Sequence, residues 1–465
     1  MYQKNFSGIQ ERLIISGKLV FTTPAILQSN ETDGLADFVI LRDEQDGPPL
    51  LPGSSLAGAL RSYLMKTFPS SDAEGLNQEK VRLLFGDVSG NTTTRSWLFV
   101  EDALGVESRI EFRPGIRIDP NTQTAAYQGL YDMELLSPGS AFNIEFEFRL
   151  PKNDGESLKT LLYAGLSALE RGNIRLGGKK NRGLGRCIVQ DWTVQRYLMQ
   201  EKKDILRWLK DDRTSPEPGT LLWEKLGFSH EPEIPFEETL RISAKFGVNK
   251  TLMIRSYPTD PEQPDMVHMT NIHGHPMIPG TSIAGALRAQ ARRIAALKLH
   301  SITAGEDLVN QLFGSENPDT SGRLAGSRLI VHEAVIEGSG SGLLQNRIRI
   351  DPFTGGTYKG ALFNEKPQLN GTVYLNFEIT KPTDPEVGIL LLLLKDLWDG
   401  FLTIGGEYAI GRGYFEGIEG ELVWNGKEFS ISNENGMKIT PVDEQDNELI
   451  TTAIESLQPN AKDER

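Results

Sequence analysis

Apolar residues fall on every second position in two stretches of the chain, residues 142–148 and 373–379. This period of two predicts β-strands with one buried face. A four-residue spacing of apolar side chains over 56–68 predicts an amphipathic helix. Apolar runs over 158–171 and 386–399 predict one further helix in each half. Strands and helices interleaved in this way predict an α+β sandwich of the ferredoxin-like kind.

The same short phrases occur in the same order in both halves of the chain, about 230 positions apart. Residues 51–61, LPGSSLAGALR, return as residues 278–288, IPGTSIAGALR. The other repeated pairs are Phe85-Gly86 with Phe313-Gly314, RIDP at 117–120 with RIDP at 349–352, and the glycines of 177–185 with those of 405–413. The chain is therefore predicted to be one domain written twice. The predicted parts are a first domain at 1–198, an acidic linker at 199–238, a second domain at 239–430 and an acidic tail at 431–465.

The distribution of charge narrows the choice of partners. The 465 residues include 49 Lys and Arg against 63 Asp and Glu, a formal net charge of −14. This charge argues against a protein that coats nucleic acid indiscriminately, which needs clustered positive charge. Residues 170–190, however, carry 6 basic residues and 1 acidic residue, whereas 199–238 carry 6 and 10. A local basic loop is therefore compatible with the acidic whole.

The chain contains one cysteine, Cys187, which cannot form an internal disulfide or, without another Cys, a typical structural zinc site. The first residues lack the apolar region of a signal peptide, and the longest purely aliphatic run is short. We therefore expect a cytoplasmic protein that does not engage a membrane.

The repeated Pro-Gly phrase predicts an anion site at a helix start. Hydroxyl residues stand at the expected N-cap in both copies, where free backbone N–H groups attract phosphate. An Arg follows at the same helical position each time. The candidate phosphate-binding residues at these helix starts are Ser54, Ser55, Arg61, Thr281, Ser282 and Arg288. Ordinary helix capping without a ligand is the alternative.

The glycine loop of the first copy, residues 177–186, combines four glycines with four cations. Glycines allow close approach of a ligand to the backbone, and the cations would neutralise phosphates of a nucleic acid strand. The spacing is that of neither a Walker loop nor a dinucleotide fingerprint. The candidate residues are Lys179, Lys180, Arg182 and Arg186, with Arg412 in the second copy, where Glu407 and apolar residues replace most cations. A solvated hairpin is the alternative.

Taken together, these phrases resemble the RAMP superfamily of CRISPR-associated proteins, over residues 8–195 and 239–425. More narrowly, they resemble the backbone subunit of type III effector complexes, and two fused units look like the type III-D arrangement. The resemblance implies two tandem ferredoxin-like (RRM-like) domains with inserted thumb hairpins. It also implies a role in antiviral defence, with CRISPR guide RNA, complementary target RNA and other effector subunits as partners.

The family's catalytic and metal-binding aspartate falls on Asp37 in the first copy and Asp265 in the second. Each precedes its Pro-Gly phrase by nearly the same number of residues. The resemblance implies cleavage of target RNA with Mg²⁺ or another divalent cation, which prefers oxygen ligands. Asp33 and Asp260 are the substitutes if this alignment is shifted.

The family's thumb hairpin matches the phrase from Arg113 to Glu134 in the first copy, which includes Arg117. Its counterpart in the second copy runs from Arg347 to Phe363 and includes Arg349. Leu130 and Leu362, taken as apolar tips, would supply the wedge that separates bases. Hairpin core is the alternative role for these two leucines.

All six histidines lie beyond the first copy, so cleavage there cannot use an imidazole from its own residues. His268, His273 and His275 lie near Asp265 and suggest metal binding, proton transfer or simply an exposed loop. The leading hypothesis is a metal-dependent endoribonuclease subunit. The alternatives are a catalytically inert RNA-binding backbone subunit and a standalone enzyme that processes guide precursors, which the missing histidines disfavour.

Overall fold

The computed structural model describes residues 8–457, except 30–35, 45–46, 69–76, 90–91, 120–121, 123, 153, 236–237, 259–261, 299–301, 316–323, 339 and 341–342. The chain forms two compact units that divide at residue 236. Residues 181–183 belong to the second unit.

The first unit is built on an antiparallel sheet. Its strands are β1 (Ile9–Phe21), β2 (Leu50–Leu51), β3 (Asp87–Ser89), β4 (Thr92–Thr94), β5 (Leu98–Val100), β6 (Ala103–Glu107), β7 (Ile110–Ile118), β8 (Ala125–Leu136), β9 (Ala141–Pro151) and β10 (Cys187–Leu198). Its helices are α1 (Gly53–Thr67), α2 (Gln78–Phe85), α3 (Gly155–Glu170), α4 (Lys202–Leu209) and α5 (Leu222–Lys225). The sheet order is β10-β1-β9-β6-β2, with β5 also paired to β9.

Side chains of the predicted strand and helices form the core of this unit. Phe142, Ile144 and Phe146 of β9 are buried on one face, as the alternation predicts. Leu56 and Leu60 of α1 lie in the same core cluster. The helices therefore cover one face of the sheet, because both patterns need a common apolar interior.

The second unit repeats this arrangement. Its strands are β11 (Thr239–Asn249), β12 (Thr251–Leu252), β13 (Arg255–Ser256), β14 (Met266–His268), β15 (Met277–Ile278), β16 (Leu329–Val331), β17 (Ala334–Glu337), β18 (Gln345–Ile350), β19 (Thr357–Lys366), β20 (Gln368–Leu369), β21 (Thr372–Thr380), β22 (Tyr414–Trp424), β23 (Lys427–Asn433) and β24 (Met437–Pro441). Its helices are α6 (Gly280–Lys298), α7 (Ile302–Phe313), α8 (Asp384–Trp398) and α9 (Asn447–Glu455). The sheet order is β15-β17-β21-β11-β22-β23-β24, with β16 also paired to β21.

Both units share one central strand order. In the first unit β1 lies between β10 and β9, and in the second unit β11 lies between β22 and β21. All of these pairs are antiparallel, which is the ferredoxin-like arrangement. The prediction of an α+β fold with two tandem ferredoxin-like domains is confirmed.

The segments predicted to lie outside the domains are packed against them. In the predicted tail, β24 and α9 follow β23, and Ile431, Ala453 and Leu457 are buried in the second core. In the predicted linker, Leu222 and Leu226 are buried in the first core. The predicted tail therefore contributes residues to the second core, because a few buried apolar positions alternate with its acidic exposed face.

Each unit carries a hairpin outside its main sheet. The first hairpin consists of β7 and β8, which form a two-stranded antiparallel sheet. The second hairpin consists of β18 and β19, and β19 also pairs with β14. These are the inserted hairpins that the sequence predicts.

Candidate functional site

The glycine loops lie against the chain segment that follows the first long strand of each unit. Gly177 has φ +86°, and a Cβ there would lie 2.2 Å from the carbonyl oxygen of Ile26. Gly405 has φ +95°, and its Cβ would lie 2.6 Å from the carbonyl oxygen of Met253. The following residue donates its N–H to that same carbonyl at 2.9 Å in both units. These glycines are therefore needed for close approach to the protein's own backbone, rather than to a ligand as the sequence suggested.

The two candidate aspartates occupy matching places at the base of the hairpins. Oδ2 of Asp37 accepts the backbone N–H of Asp132 at 2.8 Å. Oδ2 of Asp265 accepts the backbone N–H of Asn364 at 2.8 Å. Both aspartates are exposed. The alignment of the repeats therefore brings two equivalent carboxylates to equivalent sites, each oriented by a hairpin strand.

Sequence reasoning did not identify Asp132 and Asn364. They stand at equivalent positions of β8 and β19, which aligning the two hairpins by their RIDP phrases would have revealed. The second unit adds one contact, since Oδ1 of Asn364 accepts the backbone N–H of Asp265 at 2.7 Å. The substitutes Asp33 and Asp260 lie outside the described residues.

The fit of a divalent cation depends on how many carboxylates each site offers. Within the part of the chain that the structure describes, no group of three or more His, Cys, Asp or Glu could hold a metal ion. Mg²⁺ is commonly bound by one or two carboxylates together with substrate phosphates and water. Asp37 and Asp265 each use one oxygen for the hairpin N–H and are exposed, so they suit this mode of binding.

The histidines near Asp265 do not form a metal site. His268 is buried, its Nδ1 accepts the N–H of Ile254 at 3.2 Å, and its Nε2 lies 3.1 Å from the carbonyl oxygen of Met277. Burial lowers the pKa of His268 to about 4, so the ring is neutral at physiological pH. His273 and His275 are exposed in a turn, with ring centroids 6.3 Å apart. Of the three hypotheses for the histidines near Asp265, the exposed loop describes His273 and His275.

The four cations of the first glycine loop lie in different environments. Lys179 is half-buried, and its Nζ donates to the Tyr131 hydroxyl at 2.8 Å. Lys180 and Arg186 are exposed. Arg182 belongs to the second unit, where it donates to the Phe313 carbonyl at 3.0 Å. Burial, and then the charge of Arg288, lower the pKa of Arg182 to about 10.

Arg412, the matching cation of the second loop, is only 2% exposed. Its guanidinium pairs with Glu365 at 2.5 Å and with Glu407. Arg347 pairs with the same two carboxylates, at 2.6 and 3.3 Å. Arg255 pairs with Glu407 at 3.0 Å. The second loop therefore forms a buried ionic network with its hairpin. The weaker hold of this loop on phosphate stays a prediction.

The starts of α1 and α6 differ from the prediction. The N-cap of α1 is Pro52, and Ser54 and Ser55 are exposed residues of the first turn. The carboxylate of Asp102 accepts the N–H of Gly53 at 2.7 Å. The capping role predicted for the serines is therefore wrong, because the helix begins at Gly53, two residues earlier than an N-cap at Ser54 requires. Thr281 and Ser282 are likewise first-turn residues of α6, and both are half-buried.

The arginines that follow these helix starts contact their own units. Arg61 forms an ion pair with Asp87 at 3.1 Å. Arg288 donates to the Gly314 carbonyl at 2.8 Å and to Asn310 at 3.2 Å. Both guanidinium groups thus fasten the helix to the segment near the repeated Phe-Gly phrase.

The hairpins expose apolar side chains along their length. Leu130 is 56% exposed and Leu362 is 70% exposed, which rules out a role in a hairpin core. They lie towards the loop end of their hairpins, where each forms the last pair before the register shift, Leu130 with Ile116 and Leu362 with Ile348. The exposed apolar residues of the hairpins also include Phe112, Ile118, Tyr127, Ile350, Phe353 and Tyr358. Arg117 and Arg349 are exposed on the same hairpins.

A family model of the RAMP superfamily matches residues 18–188 and 240–416, which is one match in each unit. The chain belongs to the RAMP superfamily. It is a tandem RAMP protein, because each match lies within one ferredoxin-like unit and includes its hairpin and its whole glycine loop. Membership makes it a CRISPR-associated RNA-binding protein, in a superfamily whose members bind RNA and other Cas subunits. No curated protein matches the chain.

The tandem RAMP protein shows no membrane-spanning feature in its described helices, none of which is long and apolar enough to cross a bilayer.

Proposed function

We propose that this tandem RAMP protein is the guide-RNA-binding backbone subunit of a type III CRISPR ribonucleoprotein, of the fused type III-D kind. In this proposal it cleaves complementary target RNA. The observation that carries the proposal is the matched pair of exposed carboxylates, Asp37 and Asp265, each oriented at 2.8 Å by a hairpin N–H. Both copies of the duplicated domain retain this contact although neighbouring positions such as Lys179 and Glu407 differ, which favours a shared chemical role.

Guide RNA would lie along the basic glycine loop of the first unit. Lys180 and Arg186 are exposed there and can neutralise phosphates. The exposed apolar faces of the hairpins suit contact with unstacked bases. The buried network around Arg412 makes the second unit the weaker contributor of positive charge.

The candidate nuclease sites would use Mg²⁺ or another divalent cation, held by Asp37 in one unit and Asp265 in the other. When bound, the cation neutralises charge that develops on the phosphate during cleavage to a cyclic phosphate. The protein's own part is to orient each carboxylate through the N–H of Asp132 or Asn364. The buried, neutral His268 does not serve as an acid in this scheme.

The test is cleavage of target RNA by the assembled complex with Asp37→Ala, Asp265→Ala and the double variant, at matched RNA binding. We expect each single variant to lose one cut and the double variant to lose both. Asp307→Ala, a change of an exposed aspartate on α7, is the control and should cut like the parent. If the double variant cuts at the parent's positions and rates, the protein is the catalytically inert backbone subunit.

A further inference from the structure

The glycine loop of the first unit contacts the hairpin through Lys179 in a way that the sequence did not suggest. Nζ of Lys179 donates to the Tyr131 hydroxyl at 2.8 Å and lies 3.2 Å from Sδ of Met133. It also lies 4.2 Å from the ring centroid of Tyr131 and 5.4 Å from that of Phe38. The half-buried ammonium is therefore already engaged by two aromatic rings and a hydroxyl of the protein. It is therefore poorly placed to serve as a phosphate ligand.

The residues that Lys179 contacts flank the hydrogen bond that orients the candidate aspartate. Tyr131 and Met133 lie on either side of Asp132, whose N–H binds Asp37. Phe38 follows Asp37 directly and packs edge-to-face on Tyr131 at 5.6 Å. The Lys179 side chain thus touches the neighbours of both partners in the Asp37–Asp132 bond.

The backbone around this bond is joined in the same place. The N–H of Phe38 donates to the Asp132 carbonyl at 3.1 Å, and the Phe38 carbonyl accepts the N–H of Glu134 at 2.8 Å. These bonds join the aspartate segment to β8 as a short ladder. Lys179 lies over this ladder and ties the glycine loop to it.

In the second unit, ion pairs connect the glycine loop and the hairpin, and the hairpin pairs with the aspartate segment. Glu407 replaces Lys179 in the loop, and Glu365 replaces Met133 in the hairpin. Glu365 follows Asn364, is fully buried, and pairs across the ladder with Met266, the residue after Asp265. Arg412 and Arg347 connect the two glutamates. Two different chemistries at matching positions indicate a shared requirement for the connection itself.

We propose that Lys179 is a positioning residue for Asp37, acting by holding the hairpin strand that donates to the carboxylate, and that Lys180 is the phosphate contact of the pair. This inference rests on the proposed function, since it gives Lys179 a part in RNA cleavage. A displacement of about 1 Å at a reacting group can cost about 100-fold in rate. Loss of the Lys179 contacts should therefore slow cleavage without weakening RNA binding.

The experiment compares Lys179→Met and Lys180→Met in the assembled complex. For Lys179→Met we expect the Asp37-dependent cut to slow roughly 10- to 100-fold at saturating target RNA. The Asp265-dependent cut in the same RNA should keep its rate, and guide retention at rising salt should match the parent. For Lys180→Met we expect weaker guide retention at rising salt. Lys203→Met, a change of an exposed lysine on α4, is the inert control.

Two further variants separate positioning from a general loss of folding. Lys179→Arg keeps a cation over the rings and should restore most of the rate. Tyr131→Phe keeps the ring but removes the hydroxyl acceptor, so it should slow the same cut by less than Lys179→Met does. The inference is overturned if Lys179→Met leaves the Asp37-dependent rate unchanged, or if it weakens guide retention as much as Lys180→Met.

A readout that does not depend on cleavage distinguishes this inference from the proposed function. Hydrogen exchange of the purified full chain reports the Asp132 amide, which we expect to exchange faster in Lys179→Met than in Lys180→Met. If the parent complex makes no Asp37-dependent cut, the proposed nuclease fails. If the Asp132 amide of Lys179→Met then exchanges at the parent's rate, the positioning role of Lys179 is overturned as well. If it exchanges faster, the positioning role is upheld.

Discussion

The buried ionic network of the second unit allows a quantitative test. Glu365 is fully buried, and its Oε1 accepts from Arg347 at 2.6 Å and from Arg412 at 2.5 Å. Removing one partner of a buried pair costs about 3–5 kcal/mol, because the other charge stays in a poorly solvated place. Arg347 remains as a partner in Arg412→Leu, so we expect a loss near the lower limit, about 3 kcal/mol. Glu365→Met should cost a similar amount, because Arg412 stays buried.

The first unit supplies the reason to expect a different result for the double variant. Its equivalent positions hold Met133 and Leu184, which are buried together in an apolar cluster. Arg412→Leu with Glu365→Met copies this arrangement and removes both buried charges at once. We expect the double variant to cost no more than either single one, which gives a coupling of about 3 kcal/mol.

Native-state hydrogen exchange in urea is the suitable assay, because a chain of two units has no single well-defined unfolding transition. Peptides from β11 and β21 report the second unit, and peptides from β1 and β9 serve as the internal reference. Lys438→Ala, which breaks the exposed pair with Glu434, is the control and should cost less than about 1 kcal/mol. The reasoning is refuted if each single variant lowers the free energy of unfolding as little as this control does. It is also refuted if the double variant lowers it by the sum of the two single losses.

Four further changes test other parts of the structure. Gly177→Ala should destabilise the first unit by about 1–3 kcal/mol because of its positive φ, whereas Gly58→Ala on α1, with open space around it, should be neutral or stabilising in the same urea titration. Because the pKa of His268 is lowered in the folded chain, the unfolded chain takes up this proton at a higher pH than the folded chain does. The contribution of neutral His268 to the free energy of unfolding is therefore fully present above pH 6.5 and falls by about 3 kcal/mol towards pH 4. His268→Asn should reduce the difference between the unfolding free energies measured in urea at pH 6.5 and at pH 4. An unchanged difference would contradict this assignment to His268. Lys180→Glu should weaken RNA retention and reduce its salt slope in filter binding. Leu130→Ser should change the unfolding free energy by less than about 0.5 kcal/mol, because this side chain is exposed. A larger loss would indicate that Leu130 packs in the hairpin core.

Neighbouring residues of the same type show where sequence reasoning stopped. Lys179 and Lys180 are adjacent lysines in one basic loop, and their sequence context gives them the same prediction. In the structure one packs over Tyr131 and the other is exposed. The difference arises because the loop meets a hairpin strand 48 residues earlier in the chain, at a contact that no local pattern encodes.

The helix start of α1 and the packing of the predicted tail both depend on partners that are distant in sequence. The group that binds the first N–H of α1 is Asp102, 49 residues away, rather than a serine of the repeated phrase. The residues after 430 join the second core because β23 completes its sheet beside β22. Partners that are distant in sequence come together only through tertiary packing.

The resemblance to the RAMP superfamily selected the pair of aspartates. The sequence by itself determined the duplication and the alternation of strands and helices. These features are local or repeated, so periodicity and phrase order are enough to find them. Only the tertiary structure decided which carboxylate oxygen is bound, which cations remain exposed and which charges are buried in a network. Those properties depend on contacts between the glycine loop, the hairpin and the aspartate segment, and the chain brings these segments together only when it folds.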